Sequence, residues 1–400
     1  MLITKIESFR MKDHPRELLV QIHTDKGIVG LGETNAKPAP AQEMIHTICA
    51  DLLIGKDPLD IDHIWAKFYQ TFNHHGCSGT EMRALSAINM ALWDILGKTS
   101  NQPLYRLLGG ASREKIKVYN TCVGYLSNDD RNRFINEPEK LAEELLNKGI
   151  TAMKIWPYDE LSEEYRGQYI TPDLVKKGAE PFKRIRESFG SDMELILEGH
   201  GRWNLPSALR IADELEKYGL LWLEDITPVN NVETFQKLKQ STSIPIAASE
   251  RLFTKYEYLN LLQHGDCDLL IADAAWTGGI SEVKKIATLA ELYNLPFAPH
   301  NCGGPVLNAV NAHICYNLPN LFMMETVRAF YETYYAEIVK EPIELNNGFI
   351  TPPDRPGHGM ELSDAFFERQ DLIRQVSLEK NSDSEQKVYN TSGAGDPWKR

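Results

Sequence analysis

Met193-Glu194-Leu195-Ile196-Leu197-Glu198-Gly199-His200-Gly201-Arg202-Trp203 is the stretch whose reading decides the fold. An apolar run ends in a carboxylate, a histidine follows two residues later, and a helical pattern starts at Pro206. That is the signature of a barrel strand delivering chemical groups at its C-terminal end. Two later runs, 220–225 and 245–251, repeat the device and close on Glu224 and Glu250. The three glutamates Glu198, Glu224 and Glu250 are spaced 26 residues apart.

Working outward, strand patterns fall at 116–121, 152–156, 194–199, 220–224, 245–250, 269–273, 296–300 and 322–326, with helical patterns between them. From the third run on, starts recur every 24 to 27 residues. Eight such units predict a parallel α/β barrel wrapped by helices. Before it, strand patterns at 3–10, 18–24 and 28–33 precede helical patterns at 41–54, 59–71 and 80–96. Strands followed by helices without alternation predict an α+β domain. Gly97 reads as the stop of the last helix. The expected organisation is an N-terminal α+β domain over 1–114, a barrel over 115–330 and a C-terminal segment over 331–400 that packs back on the first domain. Within these, 159–170 is expected as an extended loop, and 382–400 as a polar, partly mobile tail.

With 400 residues, 42% apolar and 25% charged, the chain can bury a large core. A net charge of −13 without any basic run argues against nucleic acid and anionic membrane as partners. It leaves room for a small anionic substrate at a metal, because a divalent cation dominates its local field. The six cysteines form no C-x-x-C pair and are expected as reduced thiols, which predicts a cytoplasmic protein. The first residues read as a strand rather than a signal peptide, and no apolar run reaches membrane-spanning length.

Almost every strand pattern ends on an ionisable group: Lys154, Glu198 with His200, Glu224 with Asp225, Glu250, Asp273, His300 and Glu325. Converging carboxylates repel and are hard to desolvate. A hard cation resolves this, so Glu198, Glu224 and Glu250 are read as three oxygen ligands of one Mg²⁺. Asp273 and His300 end neighbouring strands and read as a dyad, the aspartate fixing the tautomer of a histidine base. His200 stands on the side of Glu198 if the strand continues, as an acid, a base, a ligand or a structural group. Lys154 is open between binding a substrate carboxylate, acting as a base and packing in the barrel mouth. Trp156, Trp203 and Trp276 are expected to wall the site with aromatics.

The whole set resembles the enolase superfamily, in its mandelate racemase/muconate lactonizing enzyme family, and within it the D-galactonate dehydratase-like sugar acid dehydratases. The residues that carry the resemblance are Gly30-Leu31-Gly32-Glu33, the run 91–98, Glu198-Gly199-His200-Gly201-Arg202, Ser249-Glu250-Arg251-Leu252, Asp273 before Gly278-Gly279-Ile280, Ala298-Pro299-His300 and Pro356-Gly357-His358-Gly359. The resemblance implies a modified (β/α)₇β TIM-type barrel with an N-terminal α+β capping domain whose loops, here 34–40 and 74–79, close over the site, one Mg²⁺ per subunit and a homo-oligomer. It implies His300 with Asp273 as general base, His200 as the acid for the leaving hydroxyl, Glu325 hydrogen-bonded to the substrate carboxylate, and Lys154 near it. Three departures stand out. Glu198 replaces the usual aspartate, Glu224-Asp225-Ile226 replaces Glu-Glu-Pro, and Lys154-Ile155-Trp156 replaces the Lys-x-Lys of racemizing and cycloisomerizing members. An indole cannot act as a base. Trp156 therefore favours dehydration of a sugar acid over the alternative, a racemase, epimerase or cycloisomerase. A non-catalytic barrel is the remote alternative.

Overall fold

A computed structural model of the chain describes residues 1–74 and 76–378. The polar tail expected over 382–400, and His75 of the expected 74–79 loop, lie outside the described residues. Three antiparallel strands open the chain: β1 (Ile3–Met11), β2 (Glu17–Thr24) and β3 (Val29–Asn35). Their apolar face, with Ile6, Leu18, Val20 and Ile22, packs on helices Ile61–Phe72 and Thr80–Ser100 in one buried cluster.

The longer helix corrects one expectation. It runs through Gly97 to Ser100, and Asn101 at φ 50° provides the left-handed cap. Gly97 is needed for a different reason: a Cβ there would overlap the backbone of Gly357, which crosses the helix at this point. Gln102 and Gly357 seal the crossing with a backbone hydrogen bond of 3.0 Å.

The barrel begins with β4 (Ile116–Thr121). A small hairpin follows, β5 (Gly124–Tyr125) with β6 (Asn128–Asp129). Then come β7 (Ala152–Ile155), β8 (Glu194–Glu198), β9 (Trp222–Glu224), β10 (Ile246–Ala248), β11 (Leu269–Ala272), β12 (Phe297–Pro299) and β13 (Met324–Thr326). The spatial order is β12-β11-β10-β9-β8-β7-β4-β13, all parallel. A bridge from Phe297 to Leu321 brings the two ends together and nearly closes the ring. The region 159–170 is not wholly extended, since Glu160–Ser162 forms a 3₁₀ turn. Two final strands return to earlier elements: β14 (Phe349–Ile350) pairs with β4, and β15 (Leu372–Leu378) joins the cap sheet beside β1. Among the described residues no helix is long and apolar enough to cross a membrane.

The two-residue period of a strand decides what the barrel presents at its mouth. Tyr119, Ala152, Ile196, Trp222, Ala247, Ile271, Ala298 and Met323 pack together as an apolar plug inside the ring. Beyond it along the strands come Thr121, Lys154, Glu198, Glu224, Glu250, Asp273, His300 and Glu325. A greasy layer is thus covered by a polar one, with one residue from every strand. The intervening residues, such as Met153, Leu197, Leu223 and Leu270, face the surrounding helices in the main core.

Candidate active site

Lys154 stands at the centre of the polar layer. Its ammonium lies 2.7 Å from Glu224 Oε1, 2.9 Å from Glu325 Oε1 and 3.5 Å from Glu198 Oε2, with the side chain 2% exposed. Burial works against its charge, but Glu224 and Glu325 outweigh it and hold the lysine pKa well above its ordinary range.

Glu198, Glu224 and Glu250 come together as the sequence predicts. All three are buried, and each offers an oxygen within 4.8 Å of the others. Glu198 and Glu224 are register partners on β8 and β9. Glu250 arrives differently. Ser249, directly after β10, turns its Oγ to Asp225, and Glu250 reaches in from the turn beyond it. The equal 26-residue spacing is therefore not one structural repeat. Burial, with Glu224 and Glu250, pushes the Glu198 pKa well up, and Lys154 only partly offsets it. For Glu250 burial is outweighed by His300 and Lys154, which draw its pKa down.

His300 Nδ1 lies 2.6 Å from Asp273 Oδ2, and Asp273 Oδ1 accepts from the Ala275 amide at 2.6 Å. With Nδ1–H donating to the carboxylate, Nε2 is left to take up a proton. Burial opposes the imidazolium, but Glu325, Cys302 and the Asp273 hydrogen bond raise the His300 pKa well above its ordinary range. Glu325 accepts from Thr121 Oγ1, from Lys154, and from the Asn301 amide at 2.6 Å. Burial would raise its pKa, yet Lys154 and His300 carry it down to about 2.

The strand ends at Glu198, so His200 does not continue its alternation. His200 has φ 47°, and its amide donates to Glu198 Oε1 at 2.6 Å. The turn still brings the imidazole to the cavity wall. There His200 Nδ1 lies 2.7 Å from Asp159 Oδ2, with Trp156 edge-on at 5.7 Å between centroids. Asp159 was not singled out in the sequence: it sits in an aperiodic charged loop, and only its distance after Trp156 hints at it. Asp225 was likewise unassigned. It is fully buried and accepts from Ser249 Oγ at 2.5 Å.

These groups line a cavity of about 680 Å³, with Lys154, Trp156, Glu198, His200, Glu250, Trp276 and His300 in its wall. Trp203 does not belong to it: the ring is wholly buried in the barrel core, which corrects the expected aromatic wall. Among the described residues neither the 34–40 nor the 74–79 loop lines the cavity. The cap contributes Arg16 and Arg83 instead. The sequence gives no period or motif that marks either arginine.

A barrel whose strand ends carry three carboxylates, a lysine and a histidine–aspartate dyad, under an α+β cap, defines a class. Residues 137–366 match the Enolase C-terminal domain-like family, and residues 8–109 match the mandelate racemase/muconate lactonizing enzyme N-terminal domain. The chain belongs to the enolase superfamily, with the two domains of its mandelate racemase/muconate lactonizing enzyme branch. It is similar to a crystal structure of a mandelate racemase subgroup enolase from Agrobacterium tumefaciens (38% identity, 94% of this chain and 99% of that one, TM-score 0.87). It is also similar to an enolase protein from environmental sequencing of the Sargasso Sea (32% identity, 95% and 100%, TM-score 0.88). A third structure, from Zymomonas mobilis ZM4, is named provisionally as a dehydratase (28% identity, 94% and 100%, TM-score 0.86).

Proposed function

We propose that the chain is a Mg²⁺-dependent dehydratase of a sugar acid, an aldonate or aldarate. It removes the proton alpha to the carboxylate and expels the beta-hydroxyl to give a 2-keto-3-deoxy acid. The observation that carries this reading is the pair of dyads, His300–Asp273 and His200–Asp159, in the wall of one cavity beside three buried carboxylates. One dyad suits proton removal and the other proton delivery.

The carboxylates fit the cation. Glu198, Glu224 and Glu250 are hard oxygen donors, and Glu250 Oε2 is a buried oxygen with no hydrogen-bond partner. Mg²⁺ held there would supply electrostatic stabilisation for the charge that develops on the substrate carboxylate as the alpha proton leaves. With the charge of the surrounding carboxylates offset by the cation, His300 Nε2 would be free to take that proton, Asp273 holding the ring in place. His200, its ring held by Asp159 at Nδ1, would give a proton to the departing hydroxyl, so that the C3–O bond breaks with loss of water. The remaining enol ketonises by taking a proton at C3. An ionised Glu325 can only accept hydrogen bonds. We therefore assign it the holding of Lys154 and of the Asn301 amide beside the base, and assign Lys154 the pairing with the substrate carboxylate. Trp156 stands where a second-strand base would be, and its ring packs on Phe134 and His200. All six cysteines are free thiols, which supports a reducing, cytoplasmic setting.

The test is incubation with Mg²⁺ and a library of aldonic and aldaric acids. A 2-keto-3-deoxy product is expected from at least one of them. A racemised acid formed without loss of water would contradict the reading.

A further inference from the structure

Two arginines from the cap reach the cavity, and the dehydratase chemistry uses neither. Arg83 lies in the first turn of helix Thr80–Ser100 and is anchored. Its Nη1 donates to the Asn35 carbonyl at 3.0 Å, and its guanidinium lies 4.2 Å from the centroid of the Trp276 ring. Trp276 is fixed in turn by Nε1–H donating to Asn35 Oδ1 at 2.8 Å, and its ring lies 4.9 Å from that of His300. Arg83 thus stands one indole away from the proposed base. Arg16, just before β2, is exposed and makes no side-chain hydrogen bond or ion pair among the described residues.

The two guanidiniums feel each other. Burial lowers the Arg83 pKa, Asp273 opposes this, and the like charge of Arg16 adds to the lowering. Two like charges at one mouth repel, and Glu17 near Arg16 and Asp273 near Arg83 offset this only through space, without a hydrogen bond or ion pair to either guanidinium among the described residues. The other arginines in the wall are engaged. Arg131 pairs with Glu160 at 3.0 Å, and Arg251 leans on Asp225 at 3.5 Å and Glu250 at 3.8 Å. The wall carboxylates Glu198 and Glu250 belong to the proposed cation site. Two guanidiniums of the cap that no carboxylate pairs among the described residues therefore stand in the wall of the cavity.

We propose that Arg16 and Arg83 form a subsite for a second anionic group, a terminal carboxylate or phosphate, at the end of the sugar acid away from its reacting carboxylate. The subsite rests on the sugar acid reading. It narrows the substrate to a dianion, and a planar guanidinium pair suits either oxyanion.

The experiment compares kcat/KM, with Mg²⁺, for six-carbon aldarates, 6-phosphoaldonates and plain aldonates of matched configuration. One dianion is expected to exceed its aldonate by about 10–100-fold, and which one does so names the terminal group. Arg16→Gln, at an exposed side chain, keeps the fold. It is expected to lower the favoured value by about tenfold while changing the aldonate value by less than about threefold. Arg83→Gln is expected to act in the same direction. Equal values for dianion and monoanion, or variants that lower all three alike, would overturn the subsite. Calorimetric binding of the same acids to Mg²⁺-loaded protein separates the two proposals. Dianion-selective binding lost in Arg16→Gln, with no turnover of any acid, would sustain the subsite and overturn the dehydratase. Equal binding, or none, would overturn the subsite.

Discussion

His300 and His200 are each tied through Nδ1 to an aspartate, but they differ in setting. His300 is buried and sits beside Glu325; His200 is about a third exposed on a turn. The difference assigns separate tasks that isotope exchange can resolve. His300→Asn should lose alpha-proton exchange and turnover together, by about 10²–10⁴-fold. His200→Asn should keep exchange and lose product. Exchange that survives in His300→Asn would remove it as the base. His300 and Asp273 were legible in the sequence because both terminate apolar strand patterns, where a barrel exposes side chains. Asp159 was not, because a loop residue carries no period. Arg16 and Arg83 were not either, because what brings them to the mouth is the docking of the cap.

Elements show the same division. The eight barrel strands and the first three strands of the cap sheet follow from the apolar patterns, and their order along the chain is readable, whereas β15, the fourth cap strand, is missed. Gly97 was read as a helix stop because glycine often serves as one, whereas its neighbour Gly357 is 260 residues away in sequence. Gly97→Ala should therefore destabilise the protein by about 1–3 kcal/mol in urea denaturation, through overlap with Gly357. A gain of about 1 kcal/mol, expected from helix propensity alone, would contradict the crossing.

The cap docks on the barrel through Glu33 of β3. Its carboxylate accepts from the amides of Gly304 at 2.5 Å and Val306 at 2.9 Å, at the start of helix Pro305–Asn317. Glu17 lies in the same buried cluster, and burial raises its pKa from 4.5 to about 7. A carboxyl with a raised pKa binds a proton on folding. Its stabilising share is complete below the unfolded value of 4.5 and is lost as pH rises through about 7. Stability should fall across that window by up to about 1.4 kcal/mol per pH unit, and Glu17→Gln should flatten the slope. An unchanged slope in the variant would exclude Glu17 as its source.

At the scale of the molecule, the barrel concentrates charge where its plug ends. One lysine is set against Glu198, Glu224 and Glu325, with Glu250 close by. Mg²⁺ binding should raise the unfolding midpoint, stabilising the fold by about 2.7 kcal/mol at a hundred times its dissociation constant. Glu224→Gln should abolish most of that gain, and an equal gain in the variant would place the cation elsewhere. The 26-residue spacing singled out three glutamates that the fold brings together, although Glu250 reaches the trio from a turn beyond β10. The sequence cannot show this, because a one-residue difference at a strand end depends on how the following turn folds.

The most direct test of the proposed reaction follows C2 and C3 of the turned-over acid by NMR in D₂O, with and without Mg²⁺. The expected result is a 2-keto-3-deoxy acid carrying one deuterium at C3, formed only with the cation. Recovery of the starting acid with deuterium at C2, inverted configuration and no loss of water would contradict it.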